Sequence, residues 1–354
     1  MSQLTPANAA LEVGGLFMVG LPGQQLDQST RELIQRDRIN DFILFKRNVG
    51  GAEQLKQLGA DLARSCQEAG LPPPLIAIDQ EGGTVARLPP PFTQFADARV
   101  LAEGPEPEAA LADYARTCAA ELLAVGINMN LAPVLDLCPA GRGFYMERRV
   151  LGDDPATVAR LGCLVIETMQ EGGLAACAKH FPGLGSARLD PHQTLPTLTR
   201  EREELERLDL PPFQAAVDLG VAAIMTSHTI YPALDPERPA TISPLILEQL
   251  LRRQMGYQGV IVTDDLEMGA IENHQPVEEA ALAALLAGAD QLLICHDHRK
   301  VRRAKERLRQ ALATGELAPA RLAGSLARIG RLRQNITGCQ SSAAVPTKPV
   351  DGSG

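Results

Sequence analysis

Short, mostly apolar runs alternate along the chain with longer stretches in which apolar residues return every three or four positions. The short runs fall at 15–19, 42–45, 75–78, 128–134, 175–178, 222–226, 260–263 and 291–295. Runs of that length with no polar alternation predict parallel strands covered on both faces. The longer stretches predict amphipathic helices, clearest at 52–69, 108–125, 156–170, 244–255, 277–287 and 300–313. Eight strands alternating with helices predict an α/β fold, a (β/α)8 or TIM-type barrel. No proline-rich linker divides the chain, so a single domain is expected over residues 1–337. Residues 338–354, ending in PVDGSG, lack the apolar content to pack and are expected to form a disordered tail.

In such a barrel the active site gathers at the C-terminal ends of the strands, which directs attention to the polar residues just beyond each run. The run 75–78 ends in Asp79, with Gly82, Gly83 and Arg87 beyond. The run 260–263 leads into Asp264 and Asp265. Either carboxylate is a candidate nucleophile, and Asp265 also suits the N-cap of a helix starting near Leu266. The run 175–178 leads into Lys179 and His180, after which Pro182, Gly183 and Gly185 end regular structure. Asp190-Pro191-His192 follows in the same loop. A carboxylate two residues from an imidazole can hold the ring and favour its protonated form, as an acid/base catalyst requires. The plain alternative is a surface loop with two solvated histidines. His228, after the sixth run, fits a satisfied core histidine as well as a substrate contact, and Asp136 fits an anchor for loop backbone.

Several segments, in order, carry a resemblance: ILFKRN at 43–48, IDQEGGTVARL at 78–88, LAPVLDL at 131–137, RVLGDDP at 149–155, KHFPGLG at 179–185, DPH at 190–192, MTSH at 225–228 and TDDLEMGAI at 263–271. From about residue 14 to 335 the chain resembles glycoside hydrolase family three, specifically its single-domain β-N-acetylglucosaminidases of peptidoglycan recycling. The resemblance implies a retaining exo-enzyme that removes non-reducing terminal GlcNAc from peptidoglycan fragments. It implies Asp264 as nucleophile, His192 as general acid/base and Asp190 as its partner. It further implies that Asp79, Arg87, Arg149, Lys179 and His180 bind the sugar. Arg149 is preferred to Arg148 because it preserves the spacing to Gly152 and Asp154-Pro155. A retaining glycosidase needs a nucleophile for the anomeric carbon, an acid for the leaving oxygen and then a base for water. One strand-tip carboxylate and one histidine on a closing loop can meet those needs, with Asp190 stabilising the imidazolium. One residue departs from the family pattern: Leu184 stands where PGHG usually carries a second histidine.

Composition narrows the partners. A formal net charge of −9 disfavours nucleic acid and anionic membranes. Seven cysteines without paired spacing point to a reducing compartment. The N-terminal residues lack a basic-then-apolar leader and no run reaches membrane-spanning length, so a cytoplasmic location is expected. The expected partner is a small-molecule substrate, a GlcNAc-containing muropeptide or related glycoside, bound by a monomer with no cofactor and no metal. Three other readings stay open. His296-Asp297-His298 has metal-ligand spacing and suggests a metal-dependent hydrolase. A histidine acid/base presents no second fixed negative charge, which would let phosphate approach and make the protein a β-N-acetylglucosaminide phosphorylase. Leu184 suggests a catalytically weakened, amino-sugar-binding barrel.

Overall fold

The computed structural model describes residues 12–185 and 194–342. Its eight parallel strands are β1 (Phe17–Gly20), β2 (Asp41–Leu44), β3 (Leu75–Ile78), β4 (Met129–Asn130), β5 (Ala175–Phe181), β6 (Ala223–Thr226), β9 (Val260–Val262) and β10 (Leu292–Ile294). Their order is β10-β1-β2-β3-β4-β5-β6-β9. A parallel bridge between Val262 and Gln291 joins the two ends, and the Thr263 N–H donates to the Gln291 carbonyl at 2.9 Å. The expected barrel is therefore the observed one. All of these strands are buried on both faces, as interior side chains fill the barrel and helices cover its outside.

Two strands differ from expectation in ways that shape the mouth of the barrel. The run 128–134 contributes only Met129–Asn130 as regular strand, because Pro133 has no N–H to give to a ladder. Pairing resumes irregularly beyond it, with the Lys179 N–H donating to Pro133 O and the Leu135 N–H to Lys179 O. Strand β5 instead runs on past residue 178 to Phe181, and its register against β6 shifts between Ala178 and Phe181. In a regular strand neighbouring side chains face opposite sides. The local irregularity lets Lys179 and His180, adjacent in sequence, both line one cavity.

The helices Ala52–Glu68, Pro107–Ala124, Pro155–Glu171, Val277–Ala287 and His298–Thr314 match the expected periodic stretches, and Leu245–Gln254 is wound as a π-helix. Asp154 caps Pro155–Glu171 by accepting from the Thr157 N–H at 2.8 Å, with proline in the first turn. Asp297 caps His298–Thr314 through the Arg299 N–H. The periodicity misses Gln28–Gln35, Leu210–Leu219 and Pro319–Ser342, the last of which runs past the expected boundary at residue 337. An antiparallel hairpin, β7 (Ile230–Tyr231) with β8 (Asp235–Pro239), sits between β6 and β9 in the chain and was not anticipated either. No described helix is long and apolar enough to cross a membrane.

Candidate active site

A cavity of about 290 Å³ opens at the C-terminal ends of the strands. Asp79, Arg87, Arg149, Lys179, His180 and Asp264 line it, so the fold brings together those residues singled out from the sequence. Asp190 and His192 lie outside the described residues.

Over β3, β4 and β5 the charges form one connected cluster. Lys179 Nζ, only 2% exposed, donates to Asp79 Oδ1 at 2.8 Å and forms an ion pair with Glu81 Oε1 at 2.7 Å. Arg87 Nη2 donates to the other oxygen of Asp79 at 3.1 Å. Arg149 grips Glu81 with Nε at 2.9 Å and Nη2 at 2.8 Å. Arg148 turns away to Asp97, so Arg149 is the arginine that faces the cavity. Burial alone would raise the pKa of both carboxylates. Lys179 and Arg87 nevertheless hold Asp79 far below the usual range, and Arg149 and Lys179 bring Glu81 down to about 2. Burial works against charge on Lys179 as well, and Asp79 and Glu81 overcome it to raise its pKa. Each partner thus favours the charged form of the other, with the guanidinium groups as fixed positive charges. Sequence reasoning missed Glu81, whose only signal is a carboxylate two residues after Asp79 and just before Gly82-Gly83.

His180 is held by the loop anchor that Asp136 was expected to be. Asp136 Oδ2 lies 2.8 Å from His180 Nδ1, while Oδ1 accepts the backbone N–H of His180 and, at 2.7 Å, that of Leu184. A carboxylate can only accept here, so Nδ1 carries the proton. Leu184 is buried and lines the cavity. Tyr231 on β7 donates to the Gly183 carbonyl at 2.8 Å, so the hairpin supports the start of the loop. Gly183 has φ 129°, and a Cβ there would sit 2.8 Å from the Asp209 side chain, which explains glycine at this turn.

The nucleophile candidate sits on a different kind of support. Asp264 accepts one hydrogen bond, from the Asp265 N–H at 2.8 Å, and has no ion-pair partner among the described residues. Asp265 does not cap a helix near Leu266, because the next helix is Gly269–Glu272. It accepts instead from the N–H groups of Glu267 and Cys295, tying the turn to the end of β10. Glu267 adds to that tie by accepting from the N–H groups of His296 and Asp297. His228 is fully buried; its Nε2–H donates to the Asp265 carbonyl at 2.9 Å and its Nδ1 lies 2.7 Å from Thr241 Oγ1. Burial lowers its pKa, so it is the satisfied neutral core histidine, and it steadies the turn that bears Asp264. The His-x-His pair diverges. His296 lines the cavity beside Asp265 and Phe45, whereas His298 bonds to Ser29 and the Gly20 carbonyl. Among the described residues no three His, Cys, Asp or Glu side chains converge as a metal-ligand set.

Comparison with known proteins bears on this geometry. Residues 9–332 match the glycosyl hydrolase family 3 N terminal domain. A β-hexosaminidase of Alkalilimnicola ehrlichii is 40% identical over 292 residues, covering 80% of this chain and 81% of the relative. A β-hexosaminidase of Xanthomonas oryzae is 36% identical over 286 residues, covering 79% and 84%. Among solved structures, a glycoside hydrolase family 3 β-N-acetylglucosaminidase from Paenibacillus superposes with TM-score 0.89 at 38% identity. That match covers 97% of this chain but spans only 65% of the Paenibacillus chain. NagZ from Neisseria gonorrhoeae, solved in complex with N-trifluoroacetyl-D-glucosamine, superposes with TM-score 0.73 at 29% identity, covering 91% and 98%.

Proposed function

The chain belongs to glycosyl hydrolase family 3, and we propose that it is a retaining exo-β-N-acetylglucosaminidase that removes non-reducing terminal GlcNAc from peptidoglycan fragments. Asp264 attacks the anomeric carbon and forms a glycosyl ester. His192 protonates the leaving oxygen and then takes a proton from water, with Asp190 orienting its ring. Asp79, Arg87, Arg149, Lys179 and His180 bind the sugar at the reacting end. The barrel acts as a monomer in the cytoplasm, without metal or cofactor.

The observation that carries this reading is the contrast inside one cavity. Asp264 presents a carboxylate not neutralised by any described cation, beside a charged cluster rich in hydrogen-bond donors. A sugar ring can be held by the second group while the first reaches its anomeric carbon. Leu184 lines the cavity and leads into the loop, so the few residues from there to His192 give enough reach. The names of the hexosaminidase relatives and the amino sugar in the Neisseria structure support GlcNAc as the donor.

A substrate panel followed by NMR tests the proposal: aryl β-GlcNAc, β-GlcNAc-anhydroMurNAc and aryl β-glucoside, with and without phosphate. Release of β-GlcNAc as the first anomer from both GlcNAc substrates is expected. An α-anomer first, a preference for the glucoside, or diversion to a sugar phosphate would each overturn part of it. The role of His192 is tested by His192→Ala. Good leaving groups need little protonation, so an activated aryl glycoside should show a burst and then slow turnover. Azide, which needs no base, should restore turnover and appear as the β-glycosyl azide. Equal slowing of activated and unactivated substrates, with no azide product, would make His192 a binding residue.

A further inference from the structure

We propose that Glu81 is a positioning residue: it never meets the substrate but sets the aim and the charge of the two cations that do, Lys179 and Arg149. The inference rests on the sugar-binding reading of those two side chains. Glu81 is 5% exposed and is absent from the cavity lining, whereas both of its partners line it. Its two oxygens face two different jobs. Both accept from the Arg149 fork, and Oε1 also forms the ion pair with Lys179.

That arrangement leaves a defined set of donors for a ligand. Lys179 has three N–H groups; one is donated to Asp79 while Glu81 pairs with the ammonium by charge, which leaves N–H capacity for a hydroxyl. Arg149 spends Nε and one Nη on Glu81 and directs Nη1 towards Met146 Sδ at 3.1 Å. The planar fork fixes the guanidinium in two dimensions, which a single contact could not do. Lys179 is thereby set between two carboxylates, with Arg149 as the opposing positive charge and Arg87 beyond Asp79. Removing the charge of Glu81 would leave Lys179 with one carboxylate and a nearby uncompensated guanidinium. Its ammonium would then be easier to deprotonate.

Two variants separate charge from geometry. Glu81→Gln keeps the shape and loses the charge. Glu81→Asp keeps the charge but is one methylene too short to hold the Arg149 fork and Lys179 together. Kinetics are measured on aryl β-N-acetylglucosaminide across pH, and the Lys179 Nζ resonance is titrated in 15N-lysine protein, assigned by its loss in Lys179→Met. For Glu81→Gln, KM should rise about ten- to a hundredfold with a smaller change in kcat. Both the alkaline limb of kcat/KM and the Lys179 titration should move to lower pH. For Glu81→Asp, KM should stay raised while both titrations return to the wild-type position. Wild-type titrations in Glu81→Gln, or wild-type KM in Glu81→Asp, would reduce Glu81 to a space-filling role. The Asp variant decides the matter if the Gln variant does not fold. The NMR titration reads Glu81 even if the wild type does not cleave GlcNAc, so failure of the activity and failure of this inference are distinct.

Discussion

At the tips of β3 and β5 every carboxylate oxygen has a cation, whereas at the tip of β9 Asp264 accepts one backbone N–H and no described cation. The two regions share a cavity and residue types, yet they suit opposite tasks. A carboxylate whose lone pairs are held by Lys179, Arg87 or Arg149 is a poor nucleophile, because attack would break those bonds. It is a good clamp for the same reason. Asp264 keeps its lone pairs open, and its turn is steadied through Asp265, Glu267 and His228 rather than through its own oxygens. Geometry therefore distinguishes Asp264, the proposed nucleophile, from Asp79 and Glu81 without reference to any motif.

The sharpest way to break that comparison is to neutralise one carboxylate from each region. Asp264→Asn should lower kcat by about four orders of magnitude or more while leaving thermal stability and sugar affinity near wild type. Asp79→Asn should do the reverse in kind. It leaves Lys179 and Arg87 short of a buried counter-charge, so stability should fall by about 3 kcal/mol and KM should rise, with kcat less affected. Asp265→Ala is the useful neighbour. It breaks the tie to β10 and should slow the enzyme, but if it is the dead variant and Asp264→Asn turns over, the nucleophile has been misassigned.

The comparison also explains what could be read from the chain beforehand. The barrel was legible because strands covered on both faces leave unbroken apolar runs, and the residue just past each run lands at the mouth. Asp79, Lys179 and Asp264 follow from that rule directly. Glu81 does not, because its role depends on Arg149, 68 positions away, and no local pattern marks a contact of that range. The β7–β8 hairpin was hidden by a second strand, DPERP, that has neither alternation nor apolar content. Asp265 looked like a helix cap because the sequence shows carboxylates before LEMGAI, whereas the fold uses it to bind the Cys295 N–H from a neighbouring strand. Asp190 and His192 rest on the motif alone.

Leu184 sharpens the contrast on the side of the loop. Its backbone N–H is already bound to Asp136 and its side chain is buried against the cavity. Leu184→His should therefore change turnover by less than about a hundredfold, since the anchor is made by the main chain. An inactive parent brought to life by that substitution would mean that the wild-type protein binds amino sugars without cleaving them.

The smallest effect concerns His228, which supports the turn that bears Asp264, the proposed nucleophile. Its pKa is lowered by burial from the ordinary 6.5, so the folded protein keeps it neutral in a range where the unfolded chain takes up a proton. Below about pH 6.5 the unfolded state binds more protons, and this residue's contribution to stability shrinks as pH falls until the folded pKa is passed. His228→Asn removes that proton uptake along with the bonds to the Asp265 carbonyl and Thr241. At pH 8 the variant should be less stable by about 1–3 kcal/mol, the cost of breaking buried hydrogen bonds. At pH 5 the gap from wild type should be narrower, as urea denaturation at the two pH values would show. Turnover should fall by about tenfold or less, because the turn loosens while Asp264 itself is untouched. A gap that widens on acidification would mean that the folded protein protonates His228 more readily than the unfolded chain does, and the ring would then belong with the charged cluster rather than with the neutral support of the nucleophile.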